Sequence, residues 1–581
     1  MGKQINVDFG KKISALTFFW NGSGQDYHLI GLSQANSLNM QMIGSIPHQG
    51  NHYQRDHNLL SLPVITSISD NTLNIDWSAF DQRVDAIEVS EQQLFFELMG
   101  YPAGSSLPGA PCFNDTAPCL FTAFDVAADI QFWRTYIAAV ARHCEARYGA
   151  ANVRGWYFEM WNEPDLNGWT TKELLNYFDA SRAGLNDVDS SLTFGGPASN
   201  PKSPVMYSLI AHALSGLSYF SGASTRIDFI SWHNKALPDA QTQTDANTIS
   251  ILRSKYPSMS RIEFINSEAG SEAWWTNNHA WRATPWYSSY IARQVILHQI
   301  QVVNGLGANF RLFNDNAFIG DWGQRTQFKW YGGKNSFALI KKPQHNIFTL
   351  LSLLGDQRVA TTGDTSAVSS LASVRGASQA AVIITHYSDN TTDTSNQTVT
   401  LTLKNLPFSS GKIVEYRIDP DNSNVYKLWK SLGSPTTLTR SQLQTLRDGQ
   451  EIARLSLTDF NSSAFSVTLN LPGQGVSLLL LSADPGTAPA QVAGVKAYRF
   501  ASVIDGRDDL MVSWQMDSRF VKTFEVYYSP TPSGTFVRVN TPDILSTSYT
   551  YQVSSGRRGY FKVRAVDFWG RAGAFSNVVA I

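Results

Sequence analysis

The sequence predicts a multidomain α/β protein: a (β/α)8 TIM barrel, a β-sandwich, and a C-terminal fibronectin-III-like β-sandwich. Three observations carry this. Short apolar runs alternate with amphipathic stretches between residues 14 and 358, the rhythm of a parallel barrel wrapped by helices. Near residue 360 the pattern changes to apolar/polar alternation with little helical character, as in an antiparallel sandwich. A Pro/Gly/Ala-rich linker at 484–490 then separates a last stretch of strand-and-turn rhythm. The expected division is a barrel over 14–358, a sandwich from 1–13 plus 359–485, and a fibronectin-III-like domain over 491–581. A chain of 581 residues is long enough for two or three domains.

Taken in order, residues 4–9 read as a strand that precedes the barrel and pairs into the sandwich. Barrel strands are expected at 16–20, 54–62, 94–99, 155–161, 193–196, 227–232, 262–266 and 308–313. Amphipathic helices are expected at 130–147, 171–185 and 287–303. Sandwich strands follow at 380–386, 398–403, 412–418, 466–469 and 475–481. The last domain shows strands at 510–514, 523–529, 548–552 and 560–567, without a cysteine pair.

Composition excludes several partners. Lys plus Arg (46) balance Asp plus Glu (47), so no field favours nucleic acid or an anionic membrane. No apolar run reaches bilayer length. No histidine or cysteine spacing matches a metal motif, and neither a metal nor a cofactor is expected. The 16 Trp, 22 Tyr and 32 Phe suit stacking on sugar rings as well as an ordinary core. Met1–Ile5 lacks a signal-peptide apolar region, so the chain reads as cytosolic or as a mature exported form. An extracellular, periplasmic or lysosome-like compartment is favoured over the cytoplasm. Cys112 and Cys119 share a loop and are either bridged or both reduced. Asn-x-Ser/Thr triplets stand at Asn21, Asn114, Asn390, Asn396 and Asn461, and chance supplies a few of these.

The chemistry concentrates at strand ends. Trp156–Trp161 is a buried-strand run that breaks at Asn162-Glu163-Pro164. Proline ends the strand and pushes Glu163 towards an extended conformation. A carboxyl group there, against Trp156 and Trp161, is expected to have a raised pKa suited to general-acid work. Glu268, ending the seventh expected strand, faces it across the barrel mouth and is chosen over Glu263 and Glu272 by that place. Two such carboxylates about 5–5.5 Å apart perform glycoside hydrolysis with retention. Glu163 protonates the leaving oxygen and Glu268 attacks the anomeric carbon. Asn162 is placed for a sugar 2-hydroxyl. Other polar strand ends are Arg55-Asp56-His57, Glu97, His233-Asn234-Lys235 and Asn314-Asp315-Asn316.

These motifs resemble glycoside hydrolase family 39, and within it the α-L-iduronidases more than the β-xylosidases. The resemblance rests on Trp161-Asn162-Glu163-Pro164-Asp165, Ile230-Ser231-Trp232-His233-Asn234-Lys235, Asn266-Ser267-Glu268-Ala269, Asn314-Asp315-Asn316-Ala317-Phe318 and Gln324-Arg325-Thr326. It implies that Glu163 is the acid/base and Glu268 the nucleophile. It implies sugar-hydroxyl contacts at His57 and Asn162; His233, from its place at a strand end, is a candidate substrate contact or a hydrogen-bonded scaffold residue. Lys235, Asp315 and Arg325 would hold a uronate ring and its carboxylate, helped by the backbone amides at Ala273 and Trp274. The partner is then a uronic-acid-containing carbohydrate. Two rivals are a β-xylosidase, β-glucuronidase or arabinose-releasing enzyme, and a non-catalytic carbohydrate-binding protein. Lys235 and Arg325 discriminate within the enzyme class: pairing with protein carboxylates favours a neutral sugar.

Overall fold

The computed structural model describes residues 2–25, 32–69, 72–102, 130–166, 168–273, 277–314 and 318–581. Eight strands close into a barrel in chain order: Gly22–Gln25, Tyr53–Asp56, Gln93–Leu98, Tyr157–Met160, Thr193–Ser199, Phe229–Lys235, Glu263–Gly270 and Phe310–Asn314. Every pairing is parallel, and Phe313 of the last strand returns to Gly22 of the first. A helix follows each strand, beginning with Gln34–Gly44 and ending with Pro343–Ser352. Helices Pro204–Ser215, Pro238–Lys255, Pro285–His298 and Pro343–Ser352 open on proline, whose missing N–H is not needed in a first turn. The expected helix at 287–303 is an α-helix over Pro285–His298 that continues as a π-turn through Gln299–Asn304.

The first strand lies later than expected. Residues 16–20 form no strand; Leu16, Phe19 and Trp20 are buried in a core with Leu312 and Phe310. The Phe19 carbonyl accepts the Leu312 amide at 2.9 Å. The strand is Gly22–Gln25, which carries no apolar signal because none fits. A Cβ on Gly22 would sit 2.4 Å from the Phe313 ring. The second run also divides, into Tyr53–Asp56 and a 3-10 turn at Leu59–Ser61.

Alternation along the strands layers the barrel interior. Phe95, Phe229, Ile265 and Phe313 pack with Tyr53 and Tyr157 into one apolar layer. Two residues further along five of these strands come Arg55, Glu97, Glu159, Ser231 and Ser267, all buried. An aromatic floor therefore supports a charged layer.

The N-terminal strand Lys3–Ala15 lies between Gln357–Thr362, antiparallel, and Asn396–Lys404, parallel. It joins a nine-stranded sheet folded over a core that includes Ile5, Val7, Phe9, Val382, Leu401 and Leu479. The sheet is thus mixed rather than wholly antiparallel. Two helices not foreseen, Val425–Ser431 and Arg440–Gly449, sit in this region; the second starts on a reciprocal Thr439–Gln442 capping box. The last domain stacks a three-stranded sheet on a four-stranded one around Leu510, Trp514, Phe524 and Phe561. It leans on the barrel through Thr547, which donates to the Ser45 carbonyl, and through the Lys496–Glu91 ion pair. No described helix is long and apolar enough to cross a membrane.

Candidate active site

Glu163 follows the fourth barrel strand and Glu268 lies within the seventh. One carboxylate oxygen of each, with a ring nitrogen of His233, all lie within 4.8 Å of one another. A β-bulge creates this meeting. Asn266 pairs with Trp232, but Glu268 pairs with His233, so Ser267 is the extra residue. Simple alternation from Ile265 and Ser267 would face Glu268 away from the barrel axis; the bulge turns it inward. Glu263, at the start of the same strand, pairs with Arg311 and accepts the Tyr157 hydroxyl. Glu272 pairs with Arg282 and His279. Both are committed elsewhere.

Glu163 is not extended. Its φ is +44°, its N–H donates to the Ala198 carbonyl at 3.0 Å, and its carbonyl accepts the Leu166 N–H at 2.9 Å. A left-handed glutamate is strained by about 1 kcal/mol or more, and these two bonds hold it. Its expected aromatic surroundings also differ. Trp161 packs with Tyr101, Trp169 and Tyr177, and Trp156 with Tyr148 and Phe158. The carboxylate instead meets His233 Nδ1 at 2.7 Å. Burial raises the Glu163 carboxyl, but the bond to His233 and the His233 charge outweigh it, so the net shift is downward. That reverses the expected direction.

Glu268 is gripped on both oxygens. Oε1 accepts from Arg55 Nη1 at 2.8 Å and lies 3.2 Å from His57 Nε2; Oε2 lies 2.5 Å from Lys235 Nζ and 3.5 Å from His233 Nδ1. Burial raises this carboxyl too, but His233, Lys235, His57 and Arg55 hold it well below the usual carboxylate range. Such a group stays ionised, as a nucleophile must. His57 Nδ1 contacts Glu97, which fixes the ring.

Sequence reasoning named Arg55 among the polar strand ends but gave it no role, and it stands at the centre. Arg55 is fully buried and binds Glu159 at 2.6 Å, Glu97, Glu268, and Asn162 Oδ1 at 3.2 Å; its Nη2 lies 3.3 Å from His233 Nε2. Guanidinium can only donate, and His233 turns its other ring nitrogen, Nδ1, to Glu163. The strand ends are held from behind by fully buried Asp245, which accepts from Trp232 Nε1, Asn234 Nδ2 and Asn266 Nδ2 and meets His298 Nε2.

Of the remaining expected residues, Lys235 reaches the cluster through Glu268. Arg325, about 2% exposed, lies beside it. A Cβ built on Gly270 would be 3.8 Å from Arg325 Nη1 and 4.0 Å from Lys235 Cγ. Ala273 is exposed in the loop beyond. Trp274, Asp315, Cys112 and Cys119 lie outside the described residues.

Comparison with known proteins fits this geometry. The profile of "Glycosyl hydrolases family 39" matches residues 3–455, and that of "Alpha-L-iduronidase C-terminal domain" matches 498–581. The chain belongs to glycosyl hydrolase family 39. This family 39 chain is therefore a glycosidase. It is 26% identical to the human protein named Alpha-L-iduronidase, over 99% of this chain and 93% of that one. Its likeness to a Beta-xylosidase of Caldicellulosiruptor saccharolyticus is 24% over 78% of this chain and 92% of that one. A solved structure titled as the bacterial orthologue of human α-L-iduronidase superposes with TM-score 0.90 and 27% identity, covering all of both chains.

The His233 contact gives a pH prediction. The acid must be protonated and the nucleophile ionised, so kcat/KM follows an acid-shifted bell. With Glu163 as the expected acid, the alkaline limb is its own, and His233 holds that carboxyl down. In His233→Gln that limb is expected to move to higher pH, read from kcat/KM against pH. An unmoved limb would detach it from Glu163.

Proposed function

We propose that this enzyme is a retaining exo-glycosidase that releases terminal α-L-iduronic acid from glycosaminoglycan-type chains. Glu163 gives its proton to the glycosidic oxygen as Glu268 Oε1 or Oε2 bonds to the anomeric carbon and the C–O bond breaks. Water then enters, Glu163 takes its proton, and the ester to Glu268 is displaced with overall retention. Asn162 contacts a sugar hydroxyl, Arg55 keeps Glu268 aimed, and His57 and His233, whose ring nitrogens meet protein groups, act on the two carboxylates. The 4.8 Å grouping of Glu163, His233 and Glu268 supports the chemistry.

The substrate reading rests chiefly on Arg325. An α-L-iduronide without its C5 carboxylate is a β-D-xyloside, so uronate recognition requires a cation at the C5 side of the ring. Lys235 meets the criterion for a neutral sugar, since its ammonium pairs with Glu268, so it lends the uronate no support. Arg325, buried beside Gly270 at the end of the Glu268 strand, offers a planar fork for a carboxylate. The relatives named Alpha-L-iduronidase match nearly the whole chain, which favours the uronide over the xyloside.

The test pairs two matched aryl glycosides, α-L-iduronide and β-D-xyloside. Wild-type enzyme is expected to prefer the iduronide. Arg325→Met should lose about 100-fold in kcat/KM on the iduronide and far less on the xyloside. Equal losses on both would sink the uronate assignment and leave the two-carboxylate mechanism standing.

A further inference from the structure

A buried lysine outside the reactive cluster has no role in the scheme above. Lys342 is fully buried, and it is the N-cap of helix Pro343–Ser352. Both facts count against it. Burial disfavours an ammonium, and a helix N-terminus carries partial positive charge that repels one. Burial accordingly drives the Lys342 ammonium well below the ordinary lysine range, with Asp321 working in the opposite sense. A lysine kept in such a place needs a compensating set of contacts.

The contacts are unusual in number and source. Lys342 Nζ reaches the carbonyl oxygens of Asp321 at 2.8 Å, Trp322 at 3.0 Å and Gln324 at 3.0 Å, and Thr326 Oγ1 at 2.6 Å. An ammonium has three N–H donors, so four oxygens surround it much as they would a small cation. All four belong to one turn, the link between strands Phe318–Gly320 and Thr326–Gly332. Gln344, two residues on, donates to the Thr326 carbonyl, and Gln324 Oε1 accepts the Asp321 N–H at 2.7 Å. The residue between the captured Gln324 and Thr326 is Arg325.

We propose that Lys342 is a positioning residue that folds the 321–326 turn around its ammonium and so fixes where the Arg325 guanidinium stands in the substrate pocket. This rests on the uronate reading for its effect on catalysis, but not for its effect on the turn. The turn is largely buried and is also held by the His279 N–H on the Gly323 carbonyl at 2.9 Å and by Trp322 packed on Tyr426 and Trp429, but it is Lys342 that gathers four of its oxygens at one point. A compact ammonium fits this cage, whereas a planar guanidinium does not. The C-terminal domain braces the same sheet: the Val503 N–H donates to the Phe337 carbonyl, and Ser336 Oγ to the Ser502 carbonyl.

The experiment takes the full chain with Lys342→Met and reads two quantities. The first is the ratio of kcat/KM on aryl α-L-iduronide to that on aryl β-D-xyloside. The second is amide hydrogen exchange over 320–327 against the barrel strands. The ratio is expected to fall about tenfold, mainly through a higher iduronide KM, while exchange quickens in the turn alone. Thr326→Val, which removes one acceptor of the four, should shift both readouts the same way by less, and it decides the matter if Lys342→Met does not fold. Wild-type exchange in the turn of a folded variant overturns the proposal. If wild-type enzyme shows no iduronide preference, the uronate reading fails, and exchange alone decides whether Lys342 holds the turn.

Discussion

Glu268→Ala is expected to lower kcat by about 10⁵-fold on any glycoside the enzyme accepts, because no covalent intermediate can form. Its partner should behave differently. Glu163→Ala loses about 10²–10⁴-fold, and the loss shrinks when the leaving group needs no proton, as with a dinitrophenolate. Azide separates the two roles further. In Glu268→Ala, azide entering the vacated space attacks from the former nucleophile's face and yields a glycosyl azide of inverted configuration. In Glu163→Ala it intercepts the covalent ester and yields the retained configuration. The assignment rests on geometry: the two carboxylates approach within 4.8 Å, and the bulge at Ser267 turns Glu268 to His233. Retained azide product from Glu268→Ala would overturn it.

Much of this was legible in the sequence, and what was not has physical causes. Seven of the barrel strands read as apolar runs because they are buried on both faces. The first did not, since Gly22 must leave room for Phe313 and the strand carries glycines and polar residues instead of bulk. Trp20 and its neighbours supplied a false signal: they are as buried as a strand, but in the core beside one. Glu163 and Glu268 were visible as polar breaks at strand ends. The bulge that aims Glu268 and the left-handed backbone of Glu163 were not, since neither uses glycine and both are set by partners distant in the chain. The charged layer was within reach. Tyr53-x-Arg55, Phe95-x-Glu97 and Tyr157-x-Glu159 each place a charge two residues after an inward aromatic, and that spacing means the same face. The direction of the Glu163 shift was missed because it comes from His233, seventy residues on, and not from the adjacent tryptophans.

Arg55→Met should be the most damaging change that leaves both reactive carboxylates in place. Arg55 lies among Glu97, Glu159 and Glu268, all essentially buried. Burial disfavours its charge, but Glu159, Glu97 and Glu268 more than offset this and raise the guanidinium well above its ordinary range. Removing it leaves buried carboxylates uncompensated, at about 3–5 kcal/mol in stability, and on the order of 10³-fold in kcat as Glu268 loses both its aim and part of its charge stabilisation. Lysine is no substitute, since one ammonium cannot reach three carboxylates and Asn162 at once. The pH dependence gives the claim its sign. Glu268 is depressed in the folded wild type, so its contribution to stability is present above the unfolded carboxylate pKa and is lost as pH falls through the lower folded value. Arg55→Met relieves part of that depression. The stability gap between wild type and variant should therefore be wide at neutral pH and narrow on acidification. Glu97, already raised by burial despite Arg55 and His57, adds in the same direction: without Arg55 it rises further, and acid relieves the cost by protonating it. Denaturant melts at pH 7 and pH 4 measure the gap. A gap independent of pH would mean that Arg55 contributes packing alone, and the charged layer would lose its place in the mechanism.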